Sequence, residues 1–571
     1  MKTRTNLSMK AIALALFGWI LPSLSMAYDV KVDDIYYNLN QEDMTAEVTY
    51  AARGYSGDYS GDVTIPSSFD YQGTTYKVTR IGDRAFNLCH GLTSVKLPDG
   101  IETIGVQGFS GCFFTTVELP DNVNRIGERA FESCSLLETI NLPKGLSEIE
   151  DFVFQGCRSL SSISIPEGVT KIGDMAFSYC EALSAVELSE GLTTIGAGCF
   201  SNCRSLTSIS IPNSVKEIMY SAFYWCTKLS SVTMGDEIET IDRNCFSDCW
   251  QLTSIKISNN LKKVGREAFS NCNSLVSISL PESVTQIDER AFVDCHSLLS
   301  APLPQGLSRI EKNTFQNCSS LVSVDIPDGV TIICSEAFSG CGSLASILIP
   351  TNVETVDYAA FSYCPALSSI NVSEENEKYD SRDNCNAIVE TATGTLISGC
   401  QTTVIPDDVS VIGAYAFAGS GIASFVIPDW VTSIDVYAFE DCQNLENLVI
   451  GNGVTDIGFR AFNFCSNLKI ITSRIETPFM LSSNTFYYNV YQESTLYVPK
   501  GTLEAYQSTW GWQDFRNIVE YEYNSIRLLP LEVPANGDAY FDLHGRRLTD
   551  SPRGISIVRQ ADGSMRKVIK R

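Results

Sequence analysis

Histidine and basic residues are scarce in this chain of 571 residues. Its three histidines, His90, His296 and His544, lie far apart, which disfavours histidine-based zinc sites and Ser/His or Cys/His catalysis. Lysine and arginine number 41 against 67 aspartates and glutamates, so the formal net charge is −26. Nucleic-acid binders need a basic surface to meet the phosphate backbone. The composition therefore predicts no nucleic-acid partner.

Catalytic and metal-binding signatures are also missing from the sequence. It contains no Cys-x-x-Cys pair, no Gly-x-Ser-x-Gly elbow and no His-Glu-x-x-His pair. Gly451-x-Gly453 has Asp456 where a nucleotide-binding loop would need its third glycine. Acidic clusters such as Asp236-Glu237 are more typical of a solvated face than of a calcium site. We therefore predict that the protein is not an enzyme and holds no cofactor or metal.

Residues 1–27 are typical of a secretory signal peptide. Lys2, Arg4 and Lys10 precede an apolar run from Ala11 to Leu24, and Ser25-Met26-Ala27 offers small residues for cleavage. The alternative is a membrane anchor, but the run is shorter than the roughly 20 residues that span a bilayer. No later stretch has 18 consecutive apolar residues, so we expect no transmembrane span in the mature chain. We expect export to the cell surface or the medium, with retention in the periplasm left open.

A repeat of about 23 residues organises most of the remaining chain. One full copy reads Leu160-x-x-Ile163-x-Ile165-Pro166-x-x-Val169-x-x-Ile172-x-x-x-Ala176-Phe177-x-x-Cys180. The repeat phenylalanines are Phe86, Phe109, Phe131, Phe154, Phe177, Phe200, Phe223, Phe246, Phe269, Phe292, Phe315, Phe338, Phe361, Phe417, Phe439 and Phe462, with an echo at Phe486. A fixed period of this length is the signature of a solenoid, in which each coil contacts only its neighbours.

The repeat predicts two short strands and one helical turn in each coil. Leu160, Ile163 and Ile165 alternate like a strand that Pro166 ends, because proline cannot donate to a β-ladder. A second short strand ends at Ile172, and the segment through Ala176-Phe177 suits one turn of α- or 3₁₀-helix. We therefore predict a leucine-rich-repeat-like stack of coils joined by short parallel strands.

The repeat register also sets the expected domain boundaries. Beyond the leader we expect an N-terminal β cap over residues 28–78, the solenoid over 79–466 with an irregular insertion at 373–402, and a closing cap over 467–524. Residues 525–571 are expected to form a separate basic β tail with a small hairpin.

Fifteen of the 20 cysteines lie three residues after a repeat phenylalanine. Export would favour disulfides, whereas one cysteine in each coil favours a column of buried thiols, and we predict the column. Cys199 and Cys245 are expected in the core as well. Cys385 and Cys400 fall outside the register and are the best candidates for a disulfide.

The repeat, with its Leu-x-x-Ile-x-Ile-Pro, Val-x-x-Ile-Gly and Ala-Phe-x-x-Cys segments, resembles the BspA-type leucine-rich repeat over about residues 63–523. The insertion is similar to a variant module of that family, and the tail resembles short C-terminal sorting modules. The resemblance implies adhesion to host matrix or cell-surface proteins, or to other bacteria. Capture of glycans at the cell surface is the alternative function.

Two surfaces are candidates for binding. The first is the strand-face column. In the first strand of each coil, one side chain points outward between the second and third inward residues, and these outward side chains form the column. Its members include Lys96, Glu118, Lys256, Pro302, Asp325, Leu348, Val426 and Val449. Serine or threonine two residues earlier is nearly uniform, so the variable column is where we expect specificity. The second, the tryptophan patch, consists of Tyr220, Tyr224, Trp225 and Trp250. Part of it is expected only to shield the core.

Overall fold

The computed structural model describes residues 27–51, 57–300 and 303–522, together with the backbone of four tail strands. The expected leader, except Ala27, lies outside the described residues, as do Pro302, His544 and the segments that join the tail strands. The chain divides into two compact units, residues 1–169 and 170–571, which are described separately below.

The first unit is built from short strands. They are β1 (Val30–Val32), β2 (Ile35–Asn40), β3 (Thr45–Thr49), β4 (Gly61–Thr64), β5 (Ser68–Tyr71), β6 (Thr74–Ile81), β7 (Leu92–Lys96), β8 (Thr103–Ile104), β9 (Thr116–Val117), β10 (Arg125–Ile126), β11 (Thr139–Ile140), β12 (Glu148–Ile149) and β13 (Ser162–Ser164). β1, β2 and β3 form an antiparallel meander, and β3 then pairs in parallel with β6, which continues into β8 and β10. The region before the repeats thus joins the same ladder as the second strands of the coils.

The second unit repeats this pattern over more coils. Its strands are β14 (Lys171–Ile172), β15 (Ala185–Glu187), β16 (Thr194–Ile195), β17 (Ser208–Ser210), β18 (Glu217–Ile218), β19 (Ser231–Thr233), β20 (Thr240–Ile241), β21 (Ser254–Lys256), β22 (Lys263–Val264), β23 (Gln286–Ile287), β24 (Arg309–Ile310), β25 (Ile332–Ile333), β26 (Ser346–Ile349), β27 (Thr355–Val356), β28 (Ser369–Val372), β29 (Tyr379–Asp380), β30 (Ala387–Glu390), β31 (Thr395–Gly399), β32 (Val411–Ile412), β33 (Ser424–Ile427), β34 (Ser433–Ile434), β35 (Asn447–Ile450), β36 (Asp456–Ile457), β37 (Ile470–Ser473), β38 (Thr495–Pro499), β39 (Asn517–Tyr521), β40 (Ala539–Phe541), β41 (Arg547–Leu548), β42 (Gly554–Arg559) and β43 (Met565–Lys570). Consecutive coils pair in parallel with a 23-residue offset, for example Ser208↔Ser231 and Lys171↔Thr194. The predicted repeat solenoid is confirmed.

The segment around the repeat phenylalanine, which we call the third side of the coil, differs from the expected helical turn. Residues two before and two after the repeat phenylalanine have positive φ, as Met175 (52°) and Tyr179 (60°) show. This left-handed backbone cannot continue a right-handed helix. Instead alternate N–H groups point to the next coil: Phe177 donates to the Cys199 carbonyl at 2.9 Å and Tyr179 donates to the Ser201 carbonyl at 2.8 Å. The N–H groups of Ser178 and Cys180 close turns within the segment, to the carbonyls of Met175 and Phe177. The prediction of an α- or 3₁₀-turn was wrong, because this side also has to supply a ladder of hydrogen bonds.

The core is a stack of phenylalanine rings beside a column of thiols. In the second unit the rings of Phe177 and Phe200 lie 5.5 Å apart at 4°, and those of Phe223 and Phe246 lie 5.3 Å apart at 0°. The Cys226 thiol donates to the Phe200 carbonyl at 3.1 Å, and this bond recurs from coil to coil. All the cysteines are free and buried, so the predicted thiol column is confirmed.

The two cysteines outside the register are buried free thiols in this structure. Cys385 donates to the Ala387 carbonyl at 3.8 Å, and Cys400 donates to the Asn386 carbonyl at 3.3 Å. Burial raises the pKa of Cys385 to about 12, so its thiolate is scarce at neutral pH.

The insertion and the region after the last full repeat are both ordered. In the insertion β29, β30 and β31 are antiparallel, a 3₁₀ turn spans Arg382–Asn384, and β31 pairs in parallel with β32. The closing region adds β38 and β39 to the sheet formed by β33, β35 and β37. It also contains two short helices, α1 (Tyr488–Glu493) and α2 (Leu503–Ser508), that the β-rich expectation did not include. The tail strands form one antiparallel sheet in the order β41-β40-β42-β43.

Candidate binding surfaces

The structure brings three residues of the strand-face column together. Leu348 on β26 pairs in register with Asn371 on β28, and both line a shallow depression with Asp325. Ser323 and Ser346 complete its outer wall, while Val324, Ile326 and Ile347 form the floor. Leu348 is 57% exposed, which is high for a leucine held on a rigid ladder. The depression therefore offers apolar contact beside one carboxylate and several small polar groups.

An apolar row leads to this depression along the neighbouring coils. Val276, Leu299 and Val322 are 43%, 49% and 49% exposed and stand at a position where most other coils carry serine or threonine. Backbone bonds hold them in line, because Leu299 donates to the Val276 carbonyl at 2.9 Å and Val322 donates to the Leu299 carbonyl at 3.2 Å. This row was not predicted, although the substitutions stand out when the repeats are aligned with one another.

Lys256 lies outside the depression. It ends β21, where it is exposed and in register with Thr233 of β19. Its position fits the strand-face column, but it stands on earlier coils than the residues that line the depression.

Val426 and Val449 belong to a different part of the column. They pair directly on β33 and β35 and are half-buried. The register continues from Val449 to Thr472, then to Tyr497 and Val519 on β38 and β39. The last two residues could not be assigned from the repeat, because they follow its end.

Three residues of the tryptophan patch, Tyr224, Trp225 and Trp250, lie together, and arginine side chains of the chain lie against part of the patch. The rings of Trp225 and Trp250 lie 5.4 Å apart, and the Arg204 guanidinium lies 5.4 Å from the centre of the Trp225 ring. Tyr224 contacts Trp225 edge-on at 6.3 Å, whereas the ring of Tyr220 lies under Arg243 at 4.7 Å. Trp250 is 41% exposed and is the most open ring of the patch.

A second aromatic group, which we call the tyrosine row, was not predicted. It consists of Tyr358, Tyr415, Tyr437 and Phe459, which lie two or three residues before the repeat phenylalanines of four consecutive repeats. Their ring centres are 6.0, 4.8 and 5.8 Å apart in that order. The Arg460 guanidinium lies 5.0 Å from the Phe459 ring at the far end.

Carboxylates surround this row. Tyr363 donates its hydroxyl to Glu440 Oε2 at 3.1 Å, and burial together with Glu440 holds the pKa of Tyr363 well above its usual range. The pKa of Tyr415 is also raised, first by burial and then by the nearby charges of Glu440 and Glu336. The row therefore combines aromatic surface with negative potential.

The described histidines contact the protein's own groups. His90 stacks on Phe113 with ring centres 4.7 Å apart, and His296 Nδ1 lies 2.9 Å from the Asn317 carbonyl oxygen. Across residues 27–51, 57–300 and 303–522, no group of three or more His, Cys, Asp or Glu side chains is placed to hold a metal ion. Within the same part of the chain, no helix has the length and apolar character needed to cross a membrane.

A stack of leucine-rich coils with exposed, variable strand faces defines a repeat protein of the solenoid class. The profile of the BspA type leucine-rich repeat region matches residues 67–184, 170–299, 285–388 and 397–508, which together exceed half of the chain. The chain belongs to the BspA-type leucine-rich repeat family.

Several solved structures are similar to the chain. A leucine-rich repeat protein from Bacteroides ovatus is 24% identical with a TM-score of 0.45, covering 87% of this chain and 100% of that chain. A leucine-rich cell surface protein from Faecalibacterium prausnitzii is 22% identical with a TM-score of 0.35, covering 87% and 95%. The pneumococcal vaccine antigen PcpA is 16% identical with a TM-score of 0.38, covering 87% and 99%. No curated protein matches the chain.

Proposed function

We propose that this chain is an exported, non-enzymatic solenoid that recognises macromolecules. Its ligands are proteins of the host matrix or host cell surface, or surface proteins of other bacteria. The leader in residues 1–27 supports export, and membership of the BspA-type family supports a binding role. The mature protein acts at the cell surface or after release, and a periplasmic pool is compatible with the same leader.

One observation carries the proposal for a protein ligand. The apolar row Val276, Leu299 and Val322 leads to the depression at Leu348 and presents exposed aliphatic side chains on consecutive coils. Contiguous exposed apolar surface rimmed by polar groups is typical of protein-interaction sites. Backbone hydrogen bonds between the coils hold the main chain of this surface in place, so little backbone entropy is lost when a partner binds.

Glycan binding is the second candidate, and Trp250 is the observation that favours it. An exposed aromatic ring offers a flat surface on which a sugar can stack. However, Arg204 lies near the neighbouring ring of Trp225, which reduces the aromatic face left for a ligand. Protein binding therefore ranks first.

A parallel binding panel separates the two functions. The chain lacking residues 1–27 is titrated against immobilised matrix proteins and epithelial surface proteins, and against a glycan array. We expect saturable binding to at least one protein that survives enzymatic removal of its glycans. Saturable binding to glycans alone would overturn the ranking.

A further inference from the structure

The third side of the coils carries a surface that the proposed strand-face function does not use. Tyr358 begins the tyrosine row and is 55% exposed, whereas Tyr415 and Tyr437 stack behind it and are half-buried. Those two rings lie 4.8 Å apart at 16°, so each covers a face of the other. The open aromatic face of the row is therefore at Tyr358.

The coil before Tyr358 leaves that face uncovered. Its residue at the same place, three before the repeat phenylalanine, is Ser335, which is small and buried. Asp357 lies directly before Tyr358 and accepts a hydrogen bond from the Ser335 N–H at 3.2 Å. A side chain from outside can thus approach the ring beside a carboxylate.

A second carboxylate, that of Glu336, lies in the coil before Tyr358. Phe338 donates to the Ala360 carbonyl at 2.9 Å, and this 22-residue register sets Glu336 next to Tyr358 in the ladder. Glu336 is held in place, since its Oε2 accepts bonds from Asn313 Nδ2 at 3.1 Å and Gln316 Nε2 at 2.8 Å. The exposed ring thus has one carboxylate beside it in the sequence and a second one in the preceding coil.

This combination selects a planar cation. A guanidinium stacks on an aromatic face through cation–π attraction and pairs with carboxylates at its rim. The chain already uses this contact internally, because Arg243 lies 4.7 Å over the ring of Tyr220, which occupies the equivalent position in an earlier coil. Among the described residues, no lysine or arginine lies over the Tyr358 ring in this way.

We propose that Tyr358, with Asp357 next to it, Glu336 in the preceding coil and Tyr415 packed behind it, is a docking site for an arginine side chain of a protein partner. This surface is on the third side of the coils, so it acts independently of the depression at Leu348.

The test titrates the chain lacking residues 1–27 with a twelve-residue peptide that carries four arginines separated by serine and glycine. Matched peptides carry lysine or glutamine in place of arginine. We expect the arginine peptide to bind most tightly and the glutamine peptide to lose at least tenfold in affinity. Equal binding of the arginine and glutamine peptides would overturn the proposal.

Variants separate a docking site from general attraction to an acidic protein. Tyr358→Ala leaves the net charge unchanged, and we expect it to lower the affinity for the arginine peptide about tenfold. Tyr358→Phe keeps the aromatic ring, and we expect it to keep the affinity. Tyr488→Ala removes a tyrosine of α1 that is 75% exposed and is the matched control, expected to bind as the unmodified chain does. Wild-type affinity in Tyr358→Ala would show non-specific attraction only. Because Tyr358 is exposed, melting temperatures are expected to agree among these variants.

Discussion

At the residue scale, one position in the thiol column departs from the pattern. Ser420 lies three residues after Phe417, where other coils carry cysteine, and its buried hydroxyl has no hydrogen-bond partner. A buried unpaired hydroxyl costs about 1–3 kcal/mol, whereas a thiol is a small hydrophobe that tolerates burial.

We therefore expect Ser420→Cys to raise the free energy of unfolding by about 1 kcal/mol. The control is Ser362→Cys, because Ser362 Oγ lies 3.0 Å from both Ser339 Oγ and the Ala359 carbonyl oxygen. That variant should lose stability. Denaturant unfolding of both variants measures the difference, and a destabilised Ser420→Cys would contradict the explanation.

The thiols also predict a dependence of stability on pH. Burial raises the pKa of Cys134, Cys226 and Cys295 to about 12, whereas an unfolded cysteine has a pKa near 8.5. Above about pH 8.5 the unfolded chain loses these protons and the folded chain keeps them, so stability is complete below that pH and falls as pH rises toward 12. Each such thiol contributes a slope of up to about 1.4 kcal/mol per pH unit.

We expect the melting temperature of the reduced protein to be flat between pH 7 and 8 and to fall steeply by pH 10. Differential scanning calorimetry across this range measures the effect. A melting temperature that stays constant to pH 10 would show that the thiols are not buried as a column.

At the element scale, the third side of the coil depends on left-handed backbone. Gly340 has φ 76°, and an added Cβ would lie 2.3 Å from Asn317 Oδ1. Gly342 lies two residues on, and its nearest contact for a Cβ is 3.5 Å from the Ser319 carbonyl oxygen. Gly340→Ala should therefore cost about 1–2 kcal/mol, and Gly342→Ala less than about 0.5 kcal/mol.

Thermal or denaturant unfolding of Gly340→Ala and Gly342→Ala measures the two stability changes. Because the two substitutions are chemically identical, their difference measures the combined cost of the positive φ and the close approach to Asn317 at Gly340. Equal stabilities would contradict this cost.

Most of the fold could be predicted from the sequence, because the inward positions repeat with a fixed period. Ile163, Val169 and Phe177 set the strands and the core without reference to distant residues. The left-handed ladder could not be predicted, because residues as different as Met175, Tyr179 and Trp225 occupy its positive-φ positions. Their conformation is imposed by hydrogen bonds to the next coil, which overrides local preference.

The candidate sites were harder to predict than the fold. Leu348 was identified because it breaks a polar column, but Tyr358 was not, because its neighbours in the row are 57 and more residues away (415 − 358 = 57). The insertion separates them in sequence. Only the stacking of coils reveals that they touch.

At the scale of the whole molecule, the tail is expected to be separable. Its four strands pair with one another, and residues 545–571 contain eight lysines and arginines against two aspartates. Attraction between such a segment and an acidic surface is weak at physiological salt. We propose a role for residues 525–571 in export or anchoring.

A chain ending at Asn524 should therefore melt within about 2 °C of the chain with its tail, since a surface contact of 0.5 kcal/mol or less shifts melting by no more than this in a protein of this size. Its distribution between the cell surface and the periplasm of the native host should change. A melting temperature many degrees lower would make the tail part of the fold, and unchanged localisation would remove the sorting role.

The central claim is that the outward face of the coils binds a protein partner through the apolar surface at Leu348. The most direct measurement is the affinity of the Leu348→Asp variant for a protein that binds in the panel. The matched control is Met480→Asp, which places the same charge on a methionine of the closing region that is 72% exposed. We predict that Leu348→Asp loses at least tenfold in affinity while Met480→Asp binds as the unmodified chain does. Equal affinity of the two variants, with both folded, would contradict the claim.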